Sequence, residues 1–164
     1  MNDEEGQLSG EYMLLVGSLI VVLMISIFMI ANENELNIAM AAAKSGADEG
    51  VASSSSAIYP KETFNEYDDM EGLKHPYSVS IVNVSYNSSG IDENYGKQKI
   101  QFKVYAKASA DYNKKELYSI GDRINYNLRK SVAMSFNTTD STNKLYNPVF
   151  SNNYVFTTAN VVWV

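Results

Sequence analysis

The sequence predicts an α+β protein in which a long N-terminal α-helix carries a small antiparallel β-sheet head with one packed helix. Three observations predict this class. An uncharged, mostly apolar segment lies between Glu11 and Glu33, an amphipathic pattern continues it to about Ser53, and strand-like alternation fills much of the remaining chain. The uncharged segment has 21 residues. At about 1.5 Å per residue it spans roughly 30 Å, the thickness of a bilayer's hydrocarbon core. We therefore expect a membrane span over about residues 12–32.

The helix is expected to continue beyond this span, because no proline interrupts the chain before Pro60. Apolar side chains recur at helical spacing along one stripe, which consists of Leu36, Met40, Ala43, Ala47 and Val51. Small residues four apart allow a second helix to approach closely, and the candidates for such packing are Ala39, Ala43, Ala47, Gly46 and Gly50. Alanine alone is also explained by its helix propensity, but the two glycines are not.

The segment after the helix is predicted to be a connector over residues 58–75, with a short helix at about Glu62–Met70. A first strand follows at Ser78–Tyr86, where the apolar positions change parity after Ile81. This change indicates a β-bulge or burial on both faces. Asn87–Gly90 has the composition of a turn. Strict alternation then predicts a second strand at Gln98–Ser109.

The remaining chain is predicted to hold one helix and a last strand segment. The helix covers about Lys114–Met134, because Leu117, Ile120, Ile124, Leu128 and Val132 form one apolar stripe. A polar loop follows at 137–147, and the β-rich segment Tyr154–Val164 closes the sheet. A head of about 100 residues is small enough to gain stability from neighbouring structure. A fragment starting near Ser53 is therefore expected to fold unless Leu36, Met40 and Val51 complete its core.

Composition restricts the possible partners and chemistry. The chain has 19 acidic and 13 basic residues and no cysteine. An acidic protein without a Lys/Arg cluster is not expected to bind nucleic acid. The absence of cysteine excludes disulfides and thiol catalysis.

Catalytic and cofactor motifs are missing from the sequence. His75 is the single histidine, so a catalytic histidine pair is excluded. Asp68, Asp69 and Glu71 lie close in sequence but lack the spacing of a calcium-binding loop, and a solvated acidic turn explains them better. We expect no enzymatic activity, no cofactor and no metal site.

Three segments match the acceptor pattern for N-linked glycans: Asn83-Val84-Ser85, Asn87-Ser88-Ser89 and Asn137-Thr138-Thr139. Asn87 and Asn137 lie in predicted turns, where a sugar could project, whereas Asn83 lies within a predicted strand. The pattern is short and arises by chance in a chain rich in Asn, Ser and Thr. The three asparagines are candidate sites and are consistent with export.

The polar motif before the span carries a resemblance to a known family. Gly6-Gln7-Leu8-Ser9-Gly10-Glu11-Tyr12, followed by an apolar helix, resembles the class III signal peptide of archaeal type IV pilins. Asn34–Ala43 is also similar to pilin-like members with this signal. The resemblance covers about residues 6–50. Many members carry Lys or Arg before the cleavage site, whereas Asp3, Glu4 and Glu5 stand here.

The resemblance implies that a prepilin peptidase cuts between Gly6 and Gln7. Glu11 then becomes the fifth residue of the mature chain and takes part in assembly, with the N-terminal amine of a neighbouring subunit as its partner. Cleavage removes three acids and no base, which leaves a net charge of −3. The expected segments are a leader at 1–6, the pilin-like helix at 7–55 and an extracellular head at 56–164.

The expected function is a structural subunit of a pilus, in the membrane as a precursor and then in an extracellular filament that serves surface adhesion. The orientation of a helix in a membrane follows mainly from the distribution of Lys and Arg on its two sides. Here that distribution gives almost no information, because the first Lys or Arg is Lys44. Three alternatives stay open. They are a minor or initiating pilin, a membrane-anchored exported binding domain that never polymerises, and a plain signal anchor. An ordinary secretory signal fits less well, because the leader has no basic residue and the apolar core is too long.

Overall fold

The computed structural model describes residues 3–52, 78–109 and 111–164, with side chains from Gly10 onward. Its elements are helix α1 (Asp3–Ala52), strands β1 (Val79–Asp92) and β2 (Lys97–Ala108), helix α2 (Lys114–Ser135), a 3₁₀ turn (Thr139–Ser141), and strands β3 (Val149–Phe150), β4 (Tyr154–Thr158) and β5 (Val162–Trp163). The predicted α+β class with a long N-terminal helix is confirmed. The predicted connector, its short helix and the serine run at 53–56 lie outside the described residues.

The five strands form one mixed sheet, in which β2 is central. The strand order is β1-β2-β4-β3, and β5 pairs with a later part of β2. The β1–β2 and β3–β4 pairs are antiparallel, whereas β4 and β5 both run parallel to β2. The expectation of a wholly antiparallel sheet is therefore corrected. The physical reason is the connection from β2 through α2, a crossover long enough for the chain to return in the same direction.

The first strand contains the predicted bulge. Ile81 pairs with Ala106 but Asn83 pairs with Tyr105, so Val82 is the extra residue and its side chain is exposed. The predicted turn at Asn87–Gly90 is wrong. Gly90 has a φ of 82°, yet β1 continues through a second irregularity to Asp92. The chain reverses instead at residues 93–96, where Gly96 has a φ of 63°.

Helix α2 begins and ends with local hydrogen bonds that its sequence supplies. Asn113 Oδ1 accepts from the Glu116 backbone N–H at 2.9 Å, and Glu116 Oε2 accepts from the Asn113 N–H at 2.8 Å. This is a capping box. At the other end, Asn137 has a φ of 54°, and the Asn137 and Thr138 amides donate to Met134 O and Ala133 O. These bonds form a Schellman motif, which explains why an asparagine stands there.

The core lies between α2 and the sheet. Four residues of the predicted α2 stripe, Ile120, Ile124, Leu128 and Val132, are at most 2% exposed, while Leu117 is half-buried. On β2, the alternating apolar residues Ile100, Phe102, Val104 and Ala106 are likewise buried, while Ala108 is half-buried. Phe156 of β4 stacks on Phe102 with ring centroids 5.5 Å apart. Both stripes therefore contribute to one apolar interior.

Helix α2 also packs against the last turns of α1. A Cβ atom built on Gly46 would lie 2.5 Å from Asn127 O and 2.8 Å from Leu128 Cα. A Cβ atom on Gly50 would lie 2.8 Å from Ile124 Cα. Real Cβ atoms essentially never approach so closely, so the two helices cross at a distance that only glycine permits at both positions. Ala39, Ala43 and Ala47 are completely buried in the same part of α1.

The chain divides into two compact units, residues 1–37 and residues 38–164. We call the second the packed unit. It includes the last fifteen residues of α1, which the sequence-based boundaries assign to the helix segment 7–55. The packed unit therefore needs part of the N-terminal helix as a core element.

This division gives a truncation test. A fragment starting at Asn34 keeps the α1 turns that cover α2, and we expect it to be soluble and to unfold cooperatively in urea. A fragment starting at Ser53 loses the buried alanines and uncovers one side of α2, so we expect it to lack a cooperative transition. Equal urea midpoints for the two fragments would contradict the role of α1 in the core.

A second test concerns the helix crossing itself. Alanine normally stabilises a helix by about 1 kcal/mol relative to glycine. At Gly46 we expect the opposite. Gly46→Ala should lower the unfolding free energy by about 1–3 kcal/mol, because the new methyl group meets backbone atoms of α2. Gly17→Ala is the matched control, since nothing lies within 4 Å of a Cβ added there.

The measurement for both variants is urea unfolding of the full chain in detergent micelles, followed by tryptophan fluorescence. Trp163 is the single tryptophan and lies in the packed unit. A Gly46→Ala variant as stable as the parent chain would show that the two helices can separate without cost.

Candidate functional site

The uncharged segment of α1 exposes its apolar side chains. Fifteen large apolar side chains between Tyr12 and Ile30 are each 50–75% exposed. The helix is long and apolar enough to cross a membrane, by length and composition. Such a segment is compatible with membrane anchoring or with secretion.

The polar groups inside this segment are satisfied within the helix. Ser18 Oγ donates to Leu15 O and Ser26 Oγ donates to Val22 O, both at 2.8 Å. A hydroxyl bonded to its own helix needs no partner from water. Both serines can therefore face lipid or another helix without an unsatisfied donor.

The predicted processing and assembly residues lie near the start of α1. Gly6 and Gln7 both have helical backbone, and their side chains lie outside the described part. Glu11 is exposed and directly precedes the apolar surface. Next to it, nothing lies within 4 Å of a Cβ added at Gly10. Glu11 thus has open space around it, and an approaching helix could contact its carboxylate.

The predicted helix-packing residues have a different surrounding. Ala39, Ala43 and Ala47 are fully buried, and Gly46 and Gly50 meet the backbone of α2 in the same chain. Close helix approach is therefore present at the two glycines, but its partner is internal. This face of α1 is not available to a second copy while the packed unit is folded.

The three candidate glycan acceptors are all exposed. Asn83 and Asn87 both lie on β1, opposite Tyr105 and Gln101 of β2. Asn87 is therefore on a strand and not in the predicted turn. Asn137 lies at the end of α2, where its left-handed backbone already has a structural explanation. Exposure is compatible with glycosylation at each position.

On the side of α2 that faces β4, the half-buried side chain of Arg129 makes two hydrogen bonds. Arg129 Nη1 donates to Thr158 Oγ1 at 2.6 Å and Arg129 Nε donates to Leu145 O at 3.1 Å. Burial lowers the pKa of Arg129, and the charge of Asp122 opposes this change. Burial raises the pKa of Asp122, and the charge of Arg129 opposes that. Arg129 holds the 137–147 loop against β4.

No metal-binding cluster is found in the part of the chain that the structure describes, where no group of three or more His, Asp or Glu side chains converges. His75 and the acidic residues Asp68, Asp69 and Glu71 lie outside the described residues.

A cavity of about 300 Å³ next to α2 was not indicated by any sequence pattern. Asp122, Asn125, Asn160 and Trp163 are among its lining residues. They come from two segments that are distant in sequence, α2 and the chain that leads into β5. In the sequence, the one signal for this cavity was the position of the sole tryptophan, Trp163, in the last predicted strand segment.

No protein-family model, curated protein or solved structure matches this chain.

Proposed function

We propose that this chain is a structural subunit of an archaeal type IV-like pilus. A prepilin peptidase would remove residues 1–6, and the helix from Gln7 onward would polymerise with other subunits. The packed unit would then form the outer surface of the filament, where it serves surface adhesion. The observation that carries the proposal is the Gly6–Tyr12 motif, placed at the start of one continuous helix whose next apolar residues are exposed.

The exposed apolar surface requires a cover. Burial of one large apolar side chain is worth about 1.5–3 kcal/mol. For fifteen such side chains, each half or more exposed, the cost of leaving them in water is on the order of 20 kcal/mol. That exceeds the stability of a typical domain, about 5–15 kcal/mol. Lipid covers this surface in a membrane, and neighbouring helices cover it in a filament.

The two parts of α1 support different contacts. The face with Gly46 and Gly50 is occupied by α2, so subunit contacts would use the segment before the packed unit. Exposed Glu11 and open Gly10 lie at one end of that segment. The proposed homopolymer is therefore built through residues 7–37, with the last turns of α1 fixed within each subunit.

Assembly, not catalysis, is the proposed activity, and neither a cofactor nor nucleic acid is among the proposed partners. The alternatives use the same exposed helix. A minor or initiating pilin would be cleaved and present at low copy in filaments. An anchored binding domain, including a plain signal anchor, would stay uncleaved in the membrane fraction. Shearing of cells followed by quantification of the chain in the filament and membrane fractions separates the three.

The first prediction concerns processing. The mature chain isolated from its native host should begin at Gln7, so its intact mass should lack residues 1–6. Cyclisation of Gln7 to pyroglutamate is compatible with this cut, but it would remove the charge of the N-terminal amine and leave Glu11 a neutral donor such as Ser9 or a free backbone amide. An intact mass that retains Asp3–Gly6 would contradict the pilus proposal and favour an anchor.

The second prediction concerns Glu11. In a helix bundle, loss of one partner of a buried ion pair costs about 3–5 kcal/mol, because the other charge is left unpaired. Glu11→Ala should therefore reduce filament yield about tenfold or more, while cleavage and membrane insertion stay unchanged. Electron microscopy counts the filaments, and intact mass reports cleavage.

Two variants make this test specific. Glu33→Ala removes the acid at the other end of the uncharged segment and should leave filament yield near the parent level. Glu11→Gln keeps hydrogen bonding without charge, so an equal loss in Gln and Ala variants indicates a charged partner. Abundant normal filaments from Glu11→Ala would rule out an assembly role for this residue.

A further inference from the structure

The cavity beside α2 lies in the packed unit and has features of a small ligand site. Its volume is about 300 Å³, at the lower end of the roughly 300–1,000 Å³ of ligand pockets. On one side it is lined by residues of α2, among them Tyr118 and Asp122. On the other side it is lined by Asn160, Val161 and Trp163, which lead into and form β5. Room for a single ring is therefore present.

Asn125 supplies a buried polar group at this cavity. The residue is 6% exposed, and its Nδ2 donates to Ala159 O at 2.9 Å. Its Oδ1 accepts no hydrogen bond from the described residues. A buried carbonyl oxygen without a donor is costly, and proteins seldom keep one. This oxygen is closed to solvent, so a hydroxyl in the cavity supplies the missing donor only once the Asn125 side chain turns toward the cavity.

Gly121 keeps the cavity open. It lies within α2, where glycine weakens a helix relative to alanine. A Cβ atom added there would lie 3.4 Å from Val161 Cβ and 4.0 Å from Trp163 Cζ2, which are ordinary van der Waals contacts. Packing therefore does not require a glycine at 121, in contrast to Gly46 and Gly50. The missing side chain instead leaves space between α2 and the indole ring.

The lining chemistry favours an uncharged ligand rich in hydroxyl groups. Lys114 and Asp122 both line the cavity and cancel each other's formal charge. Trp163 and Tyr118 line the cavity, and aromatic rings can pack against the apolar C–H face of a sugar ring. Asp122 and Asn125 carry acceptors, and Lys114 and Asn160 carry donors. A hydroxyl group both donates and accepts, so it can pair with either kind.

We propose that this cavity binds one neutral hexose unit of a carbohydrate, with the ring against Trp163 and its hydroxyls paired to Asp122 and Asn125. The competing class is a quaternary ammonium group, which aromatic rings with an acidic residue also bind. Lys114 disfavours that class by charge repulsion. The site does not depend on filament assembly, because every residue used here belongs to the packed unit.

The sole tryptophan makes the site directly observable. The full chain is placed in micelles of a polyoxyethylene detergent, since a detergent with a sugar or quaternary ammonium head group would itself compete. Methyl glycosides of glucose, galactose, mannose and N-acetylglucosamine are titrated separately, and Trp163 fluorescence is followed. We expect a saturable change with at least one glycoside, with a Kd in the millimolar range typical of about 4 kcal/mol of binding free energy. Choline chloride is titrated in parallel.

Substitutions then place the binding in this cavity. Gly121→Ala should weaken glycoside binding by about fivefold or more, because its methyl group takes space that the ring needs. Gly17→Ala, the same change in the exposed part of α1, should bind like the parent chain. Asp122→Asn should weaken binding several-fold, because hydrogen bonds to a charged acceptor are the stronger ones. Asp122 is exposed, so this variant keeps the test valid even if Gly121→Ala perturbs the fold.

Each negative result is decisive. The absence of a saturable change with all four glycosides overturns the proposal. Saturation by choline but not by glycosides assigns the cavity to the ammonium class and also overturns it. Glycoside binding that is unchanged in both Gly121→Ala and Asp122→Asn places the sugar elsewhere on the chain. Failure of any of these tests leaves the cleavage and Glu11 experiments unaffected, so the two proposals fail independently.

Discussion

The close crossing of α1 and α2 is the contact on which the packed unit depends. Gly46 and Gly50 let the backbone of α1 reach that of α2, with Ile124 and Leu128 at the crossing. On its other side, α2 contacts the sheet and positions Asn125 and Arg129 against the C-terminal end of β4. A displaced α2 would uncover the core and separate the walls of the cavity. One steric constraint at two glycines thus supports both the fold and the candidate ligand site.

The same helix has two kinds of surface because its two parts have different partners. Residues of α1 in the packed unit bury small side chains against their own chain. These small residues let the helix backbones come close together but bury little apolar area. Earlier residues present large apolar side chains that nothing in the described chain covers. Membrane-like helices pack through small residues, whereas lipid contact favours large ones. Side-chain size along α1 therefore distinguishes the part that packs within the chain from the part whose apolar side chains are exposed.

The candidate sugar site and the proposed assembly helix are chemically independent. The proposed assembly would use the apolar surface and one carboxylate of α1, and both would act in a nonaqueous surrounding. The proposed sugar binding would instead use hydrogen bonds at the cavity that Trp163 lines. A filament subunit with such a cavity would present one copy of the site per subunit, and weak single-site binding then gains from multivalency. Millimolar affinity at each site is thus compatible with firm attachment of a polymer.

Local periodicity determined much of this protein from sequence alone. The uncharged segment, the stripe from Ile120 to Val132, the alternation of β2 and the bulge after Ile81 are each fixed by neighbours a few residues away. Strand direction was decided only by the tertiary structure, since alternation is the same in parallel and antiparallel strands, and the α2 crossover brings β4 and β5 back parallel to β2. The prediction of a turn at Asn87–Gly90 was wrong because β1 stays paired with β2 through this segment, with Gly90 inside an irregularity of the pairing. The partner of Gly46 and the cavity at Asn125 and Trp163 depend on contacts between distant segments, which no local pattern encodes.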